Sequence, residues 1–128
     1  MESIHVARLI GVLYRQSLNY MHQALQDMGI TPLECIFLVA LFDNEGANQE
    51  QLSALLVIDK AATAKAMKSL EEKGLVTREQ CPNDKRAKRI HTTAQARKIR
   101  KPIDAMLRQW VDYLAQGTLY PDVIESVT

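Results

Sequence analysis

A chain of 128 residues is one domain by size, long enough to bury a core of its own. With 47% hydrophobic and 24% charged residues its composition is that of a globular protein, and its longest apolar run, residues 35–42, is far too short to span a bilayer. The formal charge of +1 hides a polarity: residues 59–101 hold thirteen Lys/Arg against five acids, a net of +8, and the remainder carries a net of −7. A basic block of this kind is a footprint for a polyanion, most simply duplex DNA. The N-terminus has no basic start, apolar stretch and small-residue cleavage site, and Cys35 and Cys81 form no CxxC pair. The expectation is a cytoplasmic protein with reduced thiols and no membrane segment.

Apolar residues at Ala7, Ile10, Tyr14, Leu18, Met21, Leu25 and Met28 recur every three or four positions. They predict a long first helix over 3–28, stopped by Gly29. Ile4, Leu9 and Leu13 widen its stripe. Thr31-Pro-Leu-Glu34 has the form of a capping box with proline in the first turn. The helix it opens is apolar nearly all round, through Leu33, Ile36, Phe37, Ala40 and Leu41, and is expected to be central. A turn follows at 43–46. Asn48, with Gln51 three residues on, caps a short third helix whose Leu52, Leu55 and Leu56 are expected inside. Asp59 caps a fourth helix over 60–73, ended by Gly74. Thr63, Ala66, Met67 and Leu70 form its inner stripe, while Lys60, Ala61, Ala64, Lys65 and Lys68 fall outward. Two short helices across a brief turn is the helix-turn-helix spacing.

Residues 75–80 read as a strand, 81–86 as a turn, and 87–92 as a returning strand with Ile90 inside. Thr93 caps a last long helix through Ile99, Ile103, Met106, Trp110 and Leu114. Pro102 predicts a kink near 99–101. Gly117 ends this helix, and 120–128 suit a short terminal one.

The run from Leu52 to Arg78, with Leu70-Glu-Glu-Lys-Gly-Leu-Val76, then Asn83-Asp-Lys-Arg86, Ile90 and Thr93, resembles the winged helix-turn-helix of the MarR family of bacterial transcription regulators. The resemblance extends over the order of elements along the whole chain. It implies a mainly α fold with a small β-hairpin wing in a single domain, 1–128. Within it, 1–30 and 94–128 are dimerisation helices and 31–93 the DNA-binding lobe. It further implies an obligate homodimer whose fourth helix enters the major groove and whose wing tip reaches the minor groove. Carried residue by residue, Lys60, Ala61, Ala64, Lys65 and Lys68 face the major groove. Lys85, Arg86 and Lys88 belong to the wing, with Asp84 orienting Arg86.

Three departures bear on this. Val57 stands where relatives often have glycine, and a β-branched residue resists positive φ, so a different turn backbone is expected. Ala61, Ala62 and Ala64 replace the hydroxyl residues common in relatives. The chain ends at Thr128, sooner than relatives commonly do, so the expectation is either a smaller dimer interface or a sequence that is a piece of a longer chain.

The family's effector pocket carries over to Tyr14, Leu18, Phe37, Met106 and Trp110, each of which equally suits core or dimer packing. His5, His22 and His91 lack the i, i+3 or i, i+4 partners of a tight metal site, so no metal and no cofactor is expected. Cys35 reads as a small buried apolar residue, with a redox sensor as the alternative, and Cys81 lies at the wing. No nucleophile–base set or phosphate loop points to an enzyme. The function expected is a ligand-responsive repressor, binding double-stranded DNA as a homodimer at a pseudo-palindromic operator. The alternative is a winged-helix protein-interaction module, supported by the alanine-rich fourth helix.

Overall fold

The first helix, α1 (Glu2–Leu25), tightens into a 3₁₀ turn, Gln26–Met28, before Gly29 turns left-handed at φ +72°. These and the other elements come from the computed structural model, which describes residues 2–115 and, among them, all side chains except those of residues 2, 3 and 84–87. The expected break at Gly117 and the terminal helix over 120–128 lie outside the described residues. Two compact units form: residues 2–32 with 102–115, and Leu33–Lys101.

In the first unit α1 is joined by α6 (Arg100–Ala115). Met21 and Leu25 of α1, and Ile103, Met106 and Trp110 of α6, are buried. Tyr20 stacks on Trp110 with ring centroids 5.0 Å apart, an aromatic pair that adds to the area it buries. Its hydroxyl donates to Gln109 Oε1 at 3.4 Å. The predicted stripe of α1 is inside only over its second half. Ile4, Ile10 and Tyr14 are 73%, 61% and 63% exposed, and Val111 of α6 is 60% exposed.

The second unit begins with α2 (Pro32–Asp43), α3 (Gln49–Leu56) and α4 (Lys60–Glu72). Strands β1 (Val76–Cys81) and β2 (Asp84–Thr92) follow as an antiparallel pair, and then α5 (Ala94–Lys98). Phe37, Leu38, Leu41, Leu52, Met67, Leu70, Val76 and Ile90 supply its buried apolar side chains. The helix-turn-helix plus hairpin is a winged helix-turn-helix, as expected.

Three of the capping signals act as read. Asn48 Oδ1 accepts from Gln51 N at 2.7 Å, and Gln51 Oε1 accepts from Asn48 N at 2.9 Å. Asp59 Oδ1 accepts from Ala62 N at 2.7 Å, and Thr93 Oγ1 from Ala96 N at 3.2 Å. The predicted kink is a clean break at Ile99 between α5 and α6. Pro102 then falls in the first turn of α6, where its missing N–H costs nothing.

Several expectations are corrected. Leu55 is 57% exposed rather than inside, and Ser53 is buried in its stead. Leu33 and Ile36 of α2 are 38% and 36% exposed. The hairpin loop is only Pro82–Asn83, because Cys81 pairs with Asp84. Residues 84–86 therefore belong to β2 and not to a turn. The register jumps from Gln80↔Lys88 to Cys81↔Asp84, so 85–87 bulge out of the ladder, and the turn-like composition marks this irregularity rather than a longer loop.

The helix-turn-helix turn does use positive φ. Val57 sits at φ +54°, ψ +49°, where its N–H and that of Ile58 both reach Ser53 O. The C-terminus of α3 demands a left-handed residue, and valine complies at a cost of about 1–3 kcal/mol. Val57 is 92% exposed, so no packing requires its side chain. Val57→Gly is expected to raise stability by about 1 kcal/mol. This is the relieved strain less the ~0.5–1 kcal/mol of chain entropy that glycine brings to the unfolded state. A urea titration reads it as a higher midpoint at unchanged slope. A lower midpoint would mean the turn is not strained.

Candidate nucleic-acid interface

Helix α4 is amphipathic by position. Thr63, Ala66, Met67 and Leu70 are buried, and Lys60, Ala61, Ala64, Lys65 and Lys68 are all exposed. At about 100° per residue the five exposed positions occupy one arc of about 140°, in the order Lys60, Ala64, Lys68, Ala61, Lys65. Lys60 lies 3.5 Å from Glu50 in an ion pair open to solvent on both sides, which holds it weakly. In the last turn the sign changes. Glu71 accepts from Arg78 Nη2 at 2.9 Å, and this bond, with the nearby positive charge of Arg78 and Lys88, lowers its pKa from the ordinary value.

The helix is fixed from behind by polar contacts that sequence reasoning missed. Ser53 Oγ donates to Thr63 Oγ1 at 2.7 Å, and Thr63 Oγ1 donates to Asp59 O at 3.0 Å. This buried relay ties α3 to the first turn of α4, so the angle between the two helices is set by directional bonds as well as by shape. At the other end, Glu34 is almost fully buried. Its carboxylate accepts from Ser69 Oγ at 2.6 Å and from Lys73 Nζ at 2.7 Å. These two partners lie on and just beyond α4, contacts that the local Thr31–Glu34 spacing does not suggest.

The wing is anchored at its base. Gly46 N donates to Ile90 O, and Ile90 N to Ala47 O, both at 2.9 Å. Glu45 accepts from Thr92 N at 2.8 Å and also from the Thr92 hydroxyl. Lys88 and Arg89 are exposed on β2. The side chains of Asp84, Lys85 and Arg86 lie outside the described residues, and β2 carries the backbone of all three.

Of the five effector-pocket candidates, Phe37 is fully buried in the second unit. In the first unit Met106 and Trp110 are buried, Leu18 is half-buried and Tyr14 is exposed. Trp110 is already committed to its stack on Tyr20. An open cavity of about 430 Å³ in the second unit is lined by Asn44, Glu45, Gly46, Ala47, Gln51, Leu52 and Leu55, none of them a candidate.

Cys35 is fully buried, and burial pushes its thiol from 9.0 up to about 11. Its neutral form is favoured in the folded state, so this stability is complete below pH 9 and is lost as pH rises toward about 11. A buried, protonated thiol is a poor redox sensor. A colorimetric thiol assay at pH 8 should count one fast thiol per native chain, Cys81. Cys35 should react at least about 100-fold more slowly until denaturant is added, because it waits for opening of the core. Two equally fast thiols would restore Cys35 as a sensor.

No single helix among the described residues is long and apolar enough to cross a membrane. Among the described residues, no three His, Cys, Asp or Glu gather as metal ligands would.

Residues 30–88 match the model of the MarR family. An HTH-type transcriptional regulator of Bacillus subtilis, YybA, is 26% identical over 94 residues, 73% of this chain and 63% of its own length. The match thus spans less than two thirds of that relative. The crystal structure of a MarR transcriptional regulator from Methanosarcina mazei superposes with a TM-score of 0.85 at 29% identity, covering 99% of this chain and 90% of the other. A MarR mutant from E. coli in complex with operator DNA gives 0.81 at 22% identity, covering 98% and 90%, a likeness of fold.

Proposed function

We propose that this chain, a member of the MarR family, is a DNA-binding transcription regulator: a homodimeric, ligand-responsive repressor acting on a pseudo-palindromic operator. The observation that carries the reading is the outward face of α4. It exposes three lysines and two alanines and no acid over 60–70. A helix of that character suits the major groove, where lysines reach phosphates or guanine acceptors. The E. coli MarR mutant was solved on operator DNA, and its fold is shared here. The homodimer is supported by Ile4, Ile10, Tyr14 and Val111, which a single chain leaves exposed and a second copy would cover. An effector is proposed on family grounds, with Tyr14, Leu18, Phe37, Met106 and Trp110 as its candidate contacts.

Light scattering at tens of micromolar tests the dimer, and a monomer would refute it. Sequencing duplexes selected from a random pool by the purified protein tests the operator. Half-sites spaced about one helical turn apart are expected.

On the wing, Arg86 is assigned to the minor groove and Asp84, two residues before it on β2, to orienting it. Arg86→Ala should weaken binding by about 1–3 kcal/mol on an operator with A·T-rich flanks. The loss should be smaller on G·C-rich flanks, where the groove is wider and less negative. Asp84→Ala should reproduce part of it. If Asp84→Ala strengthens binding on both flanks, Asp84 only repels DNA and the orienting pair does not exist.

A second reading, a winged-helix interaction module, draws on Leu55 and Val57, apolar and exposed beside the alanine-rich helix. It predicts weak DNA binding that is indifferent to changes at Lys65, Lys68 or Arg86.

A further inference from the structure

The order of side chains across α4 separates two kinds of contact. Lys60 and Lys65 stand at the flanks of the exposed arc, and Ala64, Lys68 and Ala61 at its middle. When a helix lies in the major groove, its flanks approach the two phosphate backbones and its middle meets the groove floor. Long cationic flanks suit phosphates. A middle built on two alanines lets the helix sit deep, and offers a base edge no donor or acceptor at those positions. The one apolar feature a base edge presents in that groove is the 5-methyl of thymine.

We infer that Ala61 and Ala64 read thymine 5-methyl groups, making each operator half-site specific for thymines on neighbouring base pairs. This rests on the DNA-binding reading above. Three residues along a helix rise about 4.5 Å, close to the ~3.4 Å step between base pairs, so the two alanines meet adjacent pairs. Lys68, one turn beyond Ala64, is the polar reader of the same row. Glu71 and Glu72, exposed in the final turn, end the stretch that can face DNA. What α4 lacks in hydroxyl groups it therefore turns into a preference of shape and apolar contact.

The test uses the full chain and the duplex it selects from a random pool. Each thymine is replaced singly by deoxyuridine, which removes the 5-methyl and nothing else. At two adjacent base pairs of each half-site the replacement should weaken binding about fourfold, the equivalent of ~0.8 kcal/mol per buried carbon. Ala61→Gly should abolish the thymine-to-uracil ratio at one of these positions and Ala64→Gly at the other. The ratio is taken within each variant, so the helix stability that glycine removes cancels from it. Tight binding with a ratio of one at every thymine overturns this inference and leaves DNA binding intact. Ratios unchanged in both glycine variants assign the methyl contact elsewhere and overturn it too. Failure to select or bind any duplex overturns the functional reading together with it.

Discussion

The double variant Lys65→Glu, Lys68→Glu should bind the selected operator at least about 100-fold more weakly than the parent, a loss of about 2.7 kcal/mol or more. Both lysines are exposed on α4, neither is needed for the core, and the variant should fold normally. Each reversal removes a favourable charge and puts a repulsive one against DNA. The separate variants divide the effect. A lysine that meets a phosphate in both subunits releases about two fewer counterions when lost, so the slope of log affinity on log salt should become shallower by about 1.8. A lysine that reads guanine should relax sequence preference at one position per half-site instead. Lys65, on the flank of the arc, is expected to do the first and Lys68 to do the second. Unchanged affinity in the double variant would remove α4 from the interface.

The largest expected effect on stability is at Lys73. Its ammonium is 2.7 Å from Glu34, whose side chain is only 4% exposed while that of Lys73 is 36% exposed. Removing one partner of a buried pair leaves the other uncompensated, typically at 3–5 kcal/mol. Ser69 still donates to Glu34, and Lys73 is partly solvated to begin with, so Lys73→Ala should cost about 2–3 kcal/mol. Glu34→Gln should cost less, about 1 kcal/mol, because the amide still accepts from Ser69 and Lys73 can turn to water. The ordering is the test, read by urea or thermal unfolding. If Glu34→Gln is the more damaging, the carboxylate is held by contacts other than the Lys73 pair.

How much of this was legible in the chain depended on the reach of each signal. Local signals carried far. Asn48 with Gln51, Asp59 and Thr93 are caps whose partners lie three residues away, and the 3.6-residue period sorted α4 correctly at every position named. Pro102 marked the α5–α6 break within a few residues. Signals acting over long separations were missed. Glu34 meets Ser69 and Lys73 from 35 and 39 residues away, and Glu45 meets Thr92 from 47, so their spacing could suggest only local roles. No local signal marks Tyr20, whose stacking partner Trp110 lies on α6. Leu55 shows a different limit. Its position fits the α3 stripe, but the buried face runs through Leu52 and Ser53, and at about 100° per residue this turns Leu55 toward solvent. At Val57 the backbone demand of the helix terminus outweighs the preference of its side chain. In the candidate interface the five positions of α4 were readable from period alone. The roles of Asp84, Lys85 and Arg86 came from the family pattern.

On the proposed function, α4 and the wing form a DNA-binding face on a dimer. A titration of the selected operator by fluorescence anisotropy, repeated from 50 to 300 mM salt, measures it most directly. The expected slope of log affinity on log salt is about −5 or steeper, from six or more neutralised phosphates. Binding to a scrambled duplex of equal length should be much weaker. A slope near zero, with equal affinity for both duplexes, would contradict the proposed function.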